Sequence, residues 1–388
     1  MRSWKICIAK DSSKPMLGLH GLHNAFRGLP GVEIAALFDR NESKARDVMR
    51  VIGAKRHYAD YREMLDRERP DIVVLCSRHP FDHLPQILAA VERGIHIYCE
   101  KPMTVSLEEA DAIIELTEKH SIKLCMAHPA RYSLAFRTMK NMIAEEAIGT
   151  PVRVHGRGKC DHRGGGEDLV VLGTHILDLM TFFFGEPAYA WADVTADGRP
   201  VSAADRCKTV EPLGPLAGDE VIAHFRFARG VSGAFESRRG LFDPARKVVH
   251  MGITVVGTEG ALSMRFNDNV PVESRLRISR IPAPPEDQAQ YEDVTLVETR
   301  TIPRAEALSY DAGGVGDIPK KPLFMESNRF AAWDLMQAIV ENRLPESNPY
   351  NARLAQEMIH GIYAAHLAGT RISFPLECRK HPLEKGVA

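Results

Sequence analysis

The stretch His96-Ile97-Tyr98-Cys99-Glu100-Lys101-Pro102 decides the fold. Its apolar part, Ile95 to Cys99, predicts a short buried strand. This strand ends before Pro102, because proline cannot donate to a sheet ladder and disfavours helix at the preceding residue. Glu100 and Lys101 therefore lie at the carboxyl end of the strand, where open parallel sheets bind ligands and where a lysine can exchange protons. The alternative interpretation is a solvated turn with a surface lysine.

The region around this strand predicts an α/β fold. Its apolar runs are continuous rather than alternating, as expected for a parallel sheet buried on both faces. The predicted strands are Lys5–Ala9, Val32–Phe38, Asp71–Cys76, Ile95–Cys99 and Lys123–Met126, and the predicted helices are Asn41–Val51, Phe81–Arg93 and Leu107–Lys119. The order βαβαβ predicts a Rossmann-like, doubly wound parallel sheet in an N-terminal domain, residues 1–128.

The rest of the chain, residues 129–388, predicts an α+β domain with a large, open, mostly antiparallel sheet and helices on one face. Short alternating segments favour strands. They are Val152–His155, Glu220–Phe227, Val231–Ser237, Met251–Val256, Ala261–Phe266 and Ser274–Ile278. Amphipathic helices are predicted at Asn328–Glu341 and Asn351–Leu367, and the C-terminal helix and tail are expected to pack back on the first domain.

Composition excludes several classes of protein. The 388 residues carry a formal net charge of -1, which offers no electrostatic case for binding nucleic acid or an anionic membrane. We find neither an apolar run of membrane-spanning length nor a signal-peptide core at the start. Cysteines are odd in number, 7, and show no zinc-binding spacing. These features predict a reduced, cytoplasmic protein.

Glu100-Lys101-Pro102 after a buried strand, followed by Ser106-Leu107-Glu108-Glu109-Ala110 at the start of a helix, resembles the glucose-fructose oxidoreductase / inositol dehydrogenase / MocA (Gfo/Idh/MocA) family. The resemblance covers nearly the whole chain. It implies a two-domain NAD(P)-dependent dehydrogenase acting on a sugar, a cyclitol or a related polyol. It also implies a homodimer or homotetramer formed through the open sheet of the second domain.

The resemblance implies several cofactor-binding residues in the first domain. Asp39, at the end of the second strand, is placed to bond the adenosine ribose, although an Asp there is also a common helix N-cap. Arg40 beside it would tolerate the 2′-phosphate of NADP. The other candidates are Ser77, His83, Glu100 and Lys101.

The glycine loop after the first strand departs from the expected G-x-G-x-x-G. Only Gly18 and Gly21 remain, as G-x-x-G, and a longer segment precedes them. A helix starting at this pair could still approach a pyrophosphate. Ser12, Ser13 and Lys14 could replace backbone contacts with side-chain contacts, or the loop could have lost the usual mode of dinucleotide binding.

A second polar centre begins at Gly164-Gly165-Gly166 and continues into a predicted helix containing His175 and Asp178. These two residues are three apart, so they share a helix face. By resemblance the catalytic set maps to Lys101, Val171 and His175. Valine cannot transfer a proton, so Asp168, one turn earlier, is the candidate replacement if the helix already includes it.

Three functions follow from these residues. In the leading one, an oxidoreductase, His175 is the general base, Lys101 stabilises an alkoxide, and Arg131, His162, Arg163 and Asp178 are candidate substrate-binding residues. The second is a keto-sugar lyase, epimerase or hydrolase with tightly bound NAD or with a divalent metal. Mn or Zn would suit the ligand types Asp161, His162, Glu167 and His175, although their spacing is not a metal signature. The third is a non-catalytic binding protein.

Overall fold

The computed structural model describes residues 2–14, 21–207, 209–243, 250–266, 276–282, 290–307 and 322–384. The chain forms two compact units. The first comprises Met1–Val105, Glu109–Ser133 and Thr299–Ala352, and the second comprises Ser106–Glu108, Leu134–Glu298 and Arg353–Ala388. The sequence alone assigns residues 299–352 to the second domain, whereas the structure groups them with the first.

Strands and helices are numbered in chain order. The strands are β1 Trp4–Ala9, β2 Val32–Phe38, β3 Arg56–Tyr58, β4 Ile72–Leu75, β5 His96–Cys99, β6 Leu124–Met126, β7 Pro151–Arg157, β8 Pro187–Ala196, β9 Arg199–Pro200, β10 Glu220–Phe227, β11 Ser232–Arg238, β12 Gly252–Gly257, β13 Ala261–Arg265, β14 Leu276–Ser279, β15 Tyr291–Asp293 and β16 Ile372–Ser373. The helices are α1 Glu42–Ile52, α2 Tyr61–Glu68, α3 His83–Val91, α4 Leu107–Lys119, α5 Leu134–Ala144, α6 Gly166–Asp168, α7 Thr174–Phe184, α8 Pro322–Val340 and α9 Pro349–Ala368.

The first unit contains a parallel sheet with the strand order β3-β2-β1-β4-β5-β6 among the described residues. This order is that of a Rossmann fold, which confirms the predicted doubly wound sheet. The side chains of β4, Ile72–Leu75, are all fully buried. Both faces of the sheet are therefore covered, and this explains the continuous apolar runs in the sequence.

Helix α8 covers part of one face of this sheet. Between Gly21 and β2 the structure has a single 3-10 turn, Leu22–Asn24, where a Rossmann fold usually has a long helix. In the same core cluster, Ala331 and Leu335 of α8 pack with Ile6 and Ile8 of β1. The helix therefore buries apolar surface that the short turn leaves uncovered.

Strand β3 and helix α2 are absent from the sequence-based prediction. Strand β3 is short and polar, so it lacks an apolar run. It pairs in parallel with β2 and is held further by Glu68, which closes α2 and accepts hydrogen bonds from Arg56 and from the Tyr58 hydroxyl. Lys5 of β1 lies 2.9 Å from the same carboxylate. A buried carboxylate thus connects the edge strand to the centre of the sheet.

The second unit contains a large mixed sheet, in the order β15-β14-β13-β12-β7-β11-β10-β8-β16 with β9 paired to β8, over the described residues. Most neighbours are antiparallel, and β7 pairs with β11 in parallel. This confirms the predicted open, mostly antiparallel sheet. Helix α7 packs on β7, where Ile176 lies against Gly156. Within the part of the chain that the structure describes, no helix is long and apolar enough to cross a membrane.

Candidate functional site

Lys101 and Glu100 lie immediately after β5, at the carboxyl edge of the parallel sheet. Both are almost completely buried, at 1% exposure, and the Lys101–Pro102 peptide bond is cis. The Lys101 amide nitrogen lies 3.2 Å from Oε1 of Glu100 and donates to it. The structure therefore does not support the alternative of a solvated turn, because a surface lysine would be exposed.

Asp39 is at the carboxyl end of β2, where the sequence predicted it, but its carboxylate is already occupied. Oδ1 accepts hydrogen bonds from the amides of Ser12, at 3.0 Å, and Asn41, at 2.8 Å. Oδ2 accepts a hydrogen bond from the Ser12 hydroxyl at 2.6 Å. Asp39 has no exposed surface. The altered loop thus folds onto the acid that was expected to bond the ribose.

The same loop reaches the segment after β4. Lys14 donates to Oδ1 of Asp82, and the Ser77 hydroxyl donates to Oδ2 at 2.7 Å. Burial opposes ionisation of Asp82, but these donors outweigh it and hold its pKa below the ordinary value. Ser12 and Lys14 therefore connect the loop after β1 to the segments after β2 and β4.

His83, the first residue of α3, is fully buried. Its Nε2 lies 2.7 Å from the carbonyl oxygen of Ser77, and its Nδ1 lies 3.0 Å from that of Met103. Both ring nitrogens therefore face backbone oxygens, and the imidazole links the loop after β4 to the loop that carries Lys101.

A cavity of about 330 Å³ opens at the carboxyl ends of β2, β3 and β4. Its lining includes Arg40, Arg62 and Phe81, and Phe81 is 56% exposed. Arg40 also lies 3.0 Å from Oδ2 of Asp11. The size is at the lower end of the range for small-molecule sites.

Three further candidates of the first unit differ in what the structure shows. Gly21 adopts the left-handed conformation, with φ of 69°, at the start of the 3-10 turn, so a long helix N-terminus for a pyrophosphate does not form there. Gly18 lies outside the described residues. Arg131 is in the 3-10 turn Pro129–Tyr132 and is 5% exposed.

In the second unit, His175 and Asp178 lie on α7, three residues apart, as predicted. His175 is 5% exposed and Asp178 is fully buried. The preceding turn, Leu169–Gly173, is π-helical. Such turns occur often at functional sites, and they change the phase between the residues on either side. The expectation that Asp168 shares a face with His175 assumed continuous α-helix, so its basis does not hold.

Asp168 is directed toward β11. Its Oδ2 accepts hydrogen bonds from the Ser237 hydroxyl, at 2.5 Å, and from the Cys160 amide, at 3.1 Å. The Ser237 oxygen also accepts from the Gly165 amide at 3.0 Å. Asp168 has no exposed surface, and burial raises its pKa. The carboxylate therefore fixes the glycine-rich turn to the sheet.

The neighbouring polar residues are also engaged. Glu167 accepts hydrogen bonds from the amides of Val210 and Glu211, both at 3.1 Å. Arg163 pairs with Asp161 at 2.9 Å and with Glu211 at 3.2 Å. The side chain of His162 is 66% exposed. Among the described residues, no three His, Cys, Asp or Glu side chains are grouped so that they could hold a metal ion.

Comparison with known proteins agrees with this architecture. Residues 18–128 match the sequence profile described as "Oxidoreductase family, NAD-binding Rossmann fold", and residues 136–263 match that of the "GFO/IDH/MocA C-terminal domain". The chain belongs to the Gfo/Idh/MocA oxidoreductase family. This confirms the resemblance that Glu100-Lys101-Pro102 indicated.

Curated relatives in the Gfo/Idh/MocA family are sugar and cyclitol dehydrogenases. The chain is 31% identical over 173 residues to D-apiose dehydrogenase from Paraburkholderia graminis, which is 42% of this chain and 46% of that protein. It is 26% identical over 244 residues to myo-inositol 2-dehydrogenase from Thermotoga maritima, with 61% and 67% covered. The chain thus spans about half the length of the first of these relatives and two thirds of the second.

Solved structures of similar fold include levoglucosan dehydrogenase in complex with NADH and levoglucosan. The TM-score is 0.72 at 19% identity, over 96% of this chain and 100% of that one. An NAD-binding oxidoreductase from Klebsiella pneumoniae gives 0.70 at 23% identity, over 96% and 99%. At these identities the likeness is one of fold.

Sequence reasoning missed the residues around Asp39 that make this Gfo/Idh/MocA member unusual. Ser12, Ser13 and Lys14 were expected to replace backbone contacts to the dinucleotide with side-chain contacts, whereas in the structure Ser12 donates to Asp39. Arg62 and Phe81 were not candidates, because α2 was not predicted and Phe81 was assigned as the first residue of a helix, whereas it lies in the 3-10 turn before α3. The bonds of Asp168 to Ser237 were also missed, because they join residues 69 positions apart.

Proposed function

We propose that the chain is an oxidoreductase that transfers a hydride between NAD(P) and a CH–OH group of a sugar, cyclitol or related polyol. The observation that carries the proposal is the burial of Lys101 at the carboxyl end of β5, the edge at which parallel α/β sheets bind ligands. Burying an ammonium group is costly unless the group is paired, so a buried lysine at this edge indicates a specific interaction. Family membership and the names of the relatives support the same activity.

The first unit offers a dinucleotide a sheet of Rossmann order and a cavity of about 330 Å³ beside Arg40. These features fit such a cofactor, although Asp39 cannot bond its ribose as the structure stands. When bound, the nicotinamide would accept or give the hydride. Ser77, His83 and Glu100 would line the carboxyl edge of the sheet beside the cofactor. His83 would fix the loops there through the carbonyl oxygens of Ser77 and Met103 that it contacts.

In this proposal His175 removes the hydroxyl proton as general base, and Lys101 stabilises the oxygen that becomes negatively charged. Proton transfer by a positioned side chain contributes roughly 10²–10⁴-fold to rate. Asp178, buried three residues after His175, would keep the imidazole in position. Asp168 was the candidate replacement for the acid missing at Val171. Its bonds to Ser237 and Cys160 support a positioning role instead.

The metal-dependent alternative is not favoured by a specific observation. Glu167 is committed to two backbone amides, and Asp161 to Arg163. Arg163 is balanced by two carboxylates, which weakens its case as a free cation for substrate, whereas exposed His162 and buried Arg131 stay candidates. From the family resemblance we also propose a cytoplasmic homodimer or homotetramer, which light scattering of the purified protein tests.

The test is an assay of the full-length protein with NAD and with NADP against a panel of aldoses, anhydrosugars, inositols and linear polyols. Reduced nicotinamide should accumulate, followed by its absorbance, with at least one of these substrates. The matched control is Lys101→Met, which keeps the length and apolar stem of the side chain but removes its charge. Turnover that survives in this variant, or no turnover across the panel with either cofactor, would contradict the proposal.

A further inference from the structure

The geometry at the end of β2 bears on which dinucleotide the chain uses. A carboxylate at this place selects NAD, since it bonds the 2′-hydroxyl of the adenosine ribose and repels a 2′-phosphate. Here Asp39 is fully buried and accepts from the Ser12 amide, the Ser12 hydroxyl and the Asn41 amide. A ribose hydroxyl cannot reach it unless Ser12 moves.

The charge of Asp39 is also shielded from ligands. The Ser12 hydroxyl donates a hydrogen bond of 2.6 Å to Oδ2 of Asp39, the oxygen that would otherwise be left for the ribose. A hydrogen bond from a donor to an ionised carboxylate is short and strong, so this contact is not displaced without cost. Both the attraction for a 2′-hydroxyl and the repulsion of a 2′-phosphate are therefore reduced.

Two arginine side chains line the cavity near Asp39. Arg40 follows Asp39 in sequence, its side chain is 60% exposed, and it lines the cavity together with Arg62. Arginine is suited to phosphate because its planar group donates two parallel hydrogen bonds. The Arg62 side chain, 59% exposed, lies 3.7 Å from Glu92, which is a loose surface pair.

The acids around the cavity have other partners. Asp60 accepts from the Glu63 amide as the N-cap of α2, at 2.7 Å. Asp82 is held by Lys14 and Ser77. Asp11 faces Arg40 and accepts from Ser13. A phosphate would therefore compete with one acid, Asp11, for Arg40.

We propose that this chain is selective for NADP(H), with the 2′-phosphate bound by Arg40 and Arg62 and the adenine lying against the exposed ring of Phe81. The inference rests on the proposed function, because it concerns the cofactor of that same reaction. It makes Ser12 a specificity-determining residue: by covering Asp39, it removes the group that distinguishes NAD.

The experiment is calorimetric titration of the full-length protein with NADPH and with NADH at one fixed ionic strength, because phosphate contacts weaken with salt. NADPH should bind about tenfold more tightly or better, the change expected when charge-assisted hydrogen bonds are gained. Arg40→Ala should lose most of this preference by weakening NADPH alone. The matched control is Arg50→Ala on α1, whose side chain is 78% exposed, and it should bind both cofactors as the parent does.

Ser12→Ala tests the inference from the other side. Without the hydroxyl, Oδ2 of Asp39 is free to accept from a ribose, so NADH should bind more tightly and the NADPH preference should shrink by about threefold or more. Equal or tighter binding of NADH by the parent protein, or an unchanged cofactor ratio in Arg40→Ala, would overturn NADP selectivity while leaving the proposed function standing. Failure of both dinucleotides to bind would overturn the two together.

Discussion

Substitutions at Asp168 distinguish a structural role of this residue from a catalytic one. Asp168→Ala removes a carboxylate oxygen that accepts from Ser237 at 2.5 Å and from Cys160 at 3.1 Å. Hydrogen bonds to charged groups contribute about 1.5–3 kcal/mol each, and removal of a costly buried charge returns part of the loss. We therefore expect the free energy of unfolding to fall by about 2–4 kcal/mol.

Asp168→Asn keeps an oxygen that can accept from both donors, so it should cost only about 1 kcal/mol. If Asp168 is a positioning residue, this variant should keep turnover within about tenfold of the parent, whereas loss of a proton-transfer group costs roughly 10²–10⁴-fold. Ser237→Ala, which removes the donor instead, should lower stability with Asp168 intact. Urea unfolding and steady-state kinetics give both quantities.

The pH dependence provides an independent check. Burial raises the pKa of Asp168, so between its unfolded and folded values the folded protein binds the proton that the unfolded chain has released. Stability then decreases as pH rises through this window. Asp168→Asn lacks this contribution, so its stability relative to the parent should improve over the same rise in pH. A variant that unfolds like the parent at every pH, yet has lost turnover about 100-fold, would refute the positioning role.

Further substitutions test the remaining features. Lys101→Ala and His175→Ala should each abolish turnover with an unchanged circular dichroism spectrum, and activity near the parent's in either would exclude the proposed proton transfer. Glu68→Gln should lower the free energy of unfolding by about 2 kcal/mol. Burial opposes ionisation of Glu68, but hydrogen bonds from Arg56, Tyr58 and Lys5 lower its pKa to about 2. The stabilisation by Glu68 is therefore complete above the unfolded pKa and declines as pH falls toward 2, which unfolding at neutral and at acid pH measures. Gly166→Ala should lower Tm, because its Cβ would overlap the Ala217 carbonyl oxygen, whereas Gly53→Ala, with open space around it, should lose only the cost of a positive φ.

The parallel sheet was predictable because its signal is local. Five of its strands, β1, β2, β4, β5 and β6, are buried on both faces, so each consists of a continuous run of mostly apolar residues. Strand β3 has no such run, because its side chains are polar: Arg56 and Tyr58 bind the carboxylate of Glu68. Strand β8 was missed as well, although its alternating burial is that of a strand with one covered face.

The candidate site was predictable only as far as motifs extend. Lys101 and His175 were found through the resemblance to the family and Asp178 through its spacing from His175, and the structure places all three on the expected elements. The π-helical turn at Leu169–Gly173 has no local signature, so the phase between Asp168 and His175 could not be read from the sequence. The sealing of Asp39 by Ser12 depends on how a long loop folds, which neither composition nor spacing determines.

His83 joins the loop after β4 to the loop after β5, so the position of one depends on that of the other. Because one rigid ring spans from the Ser77 carbonyl to the Met103 carbonyl, the distance between these two backbone segments is set by the width of an imidazole. A displacement of the Ser77–Asp82 segment, to which Lys14 also attaches, would therefore strain the hydrogen bonds of His83 unless the segment after Lys101 moved with it. The loop after β1 is in this way linked, through Asp82, Ser77 and His83, to the backbone that follows Lys101.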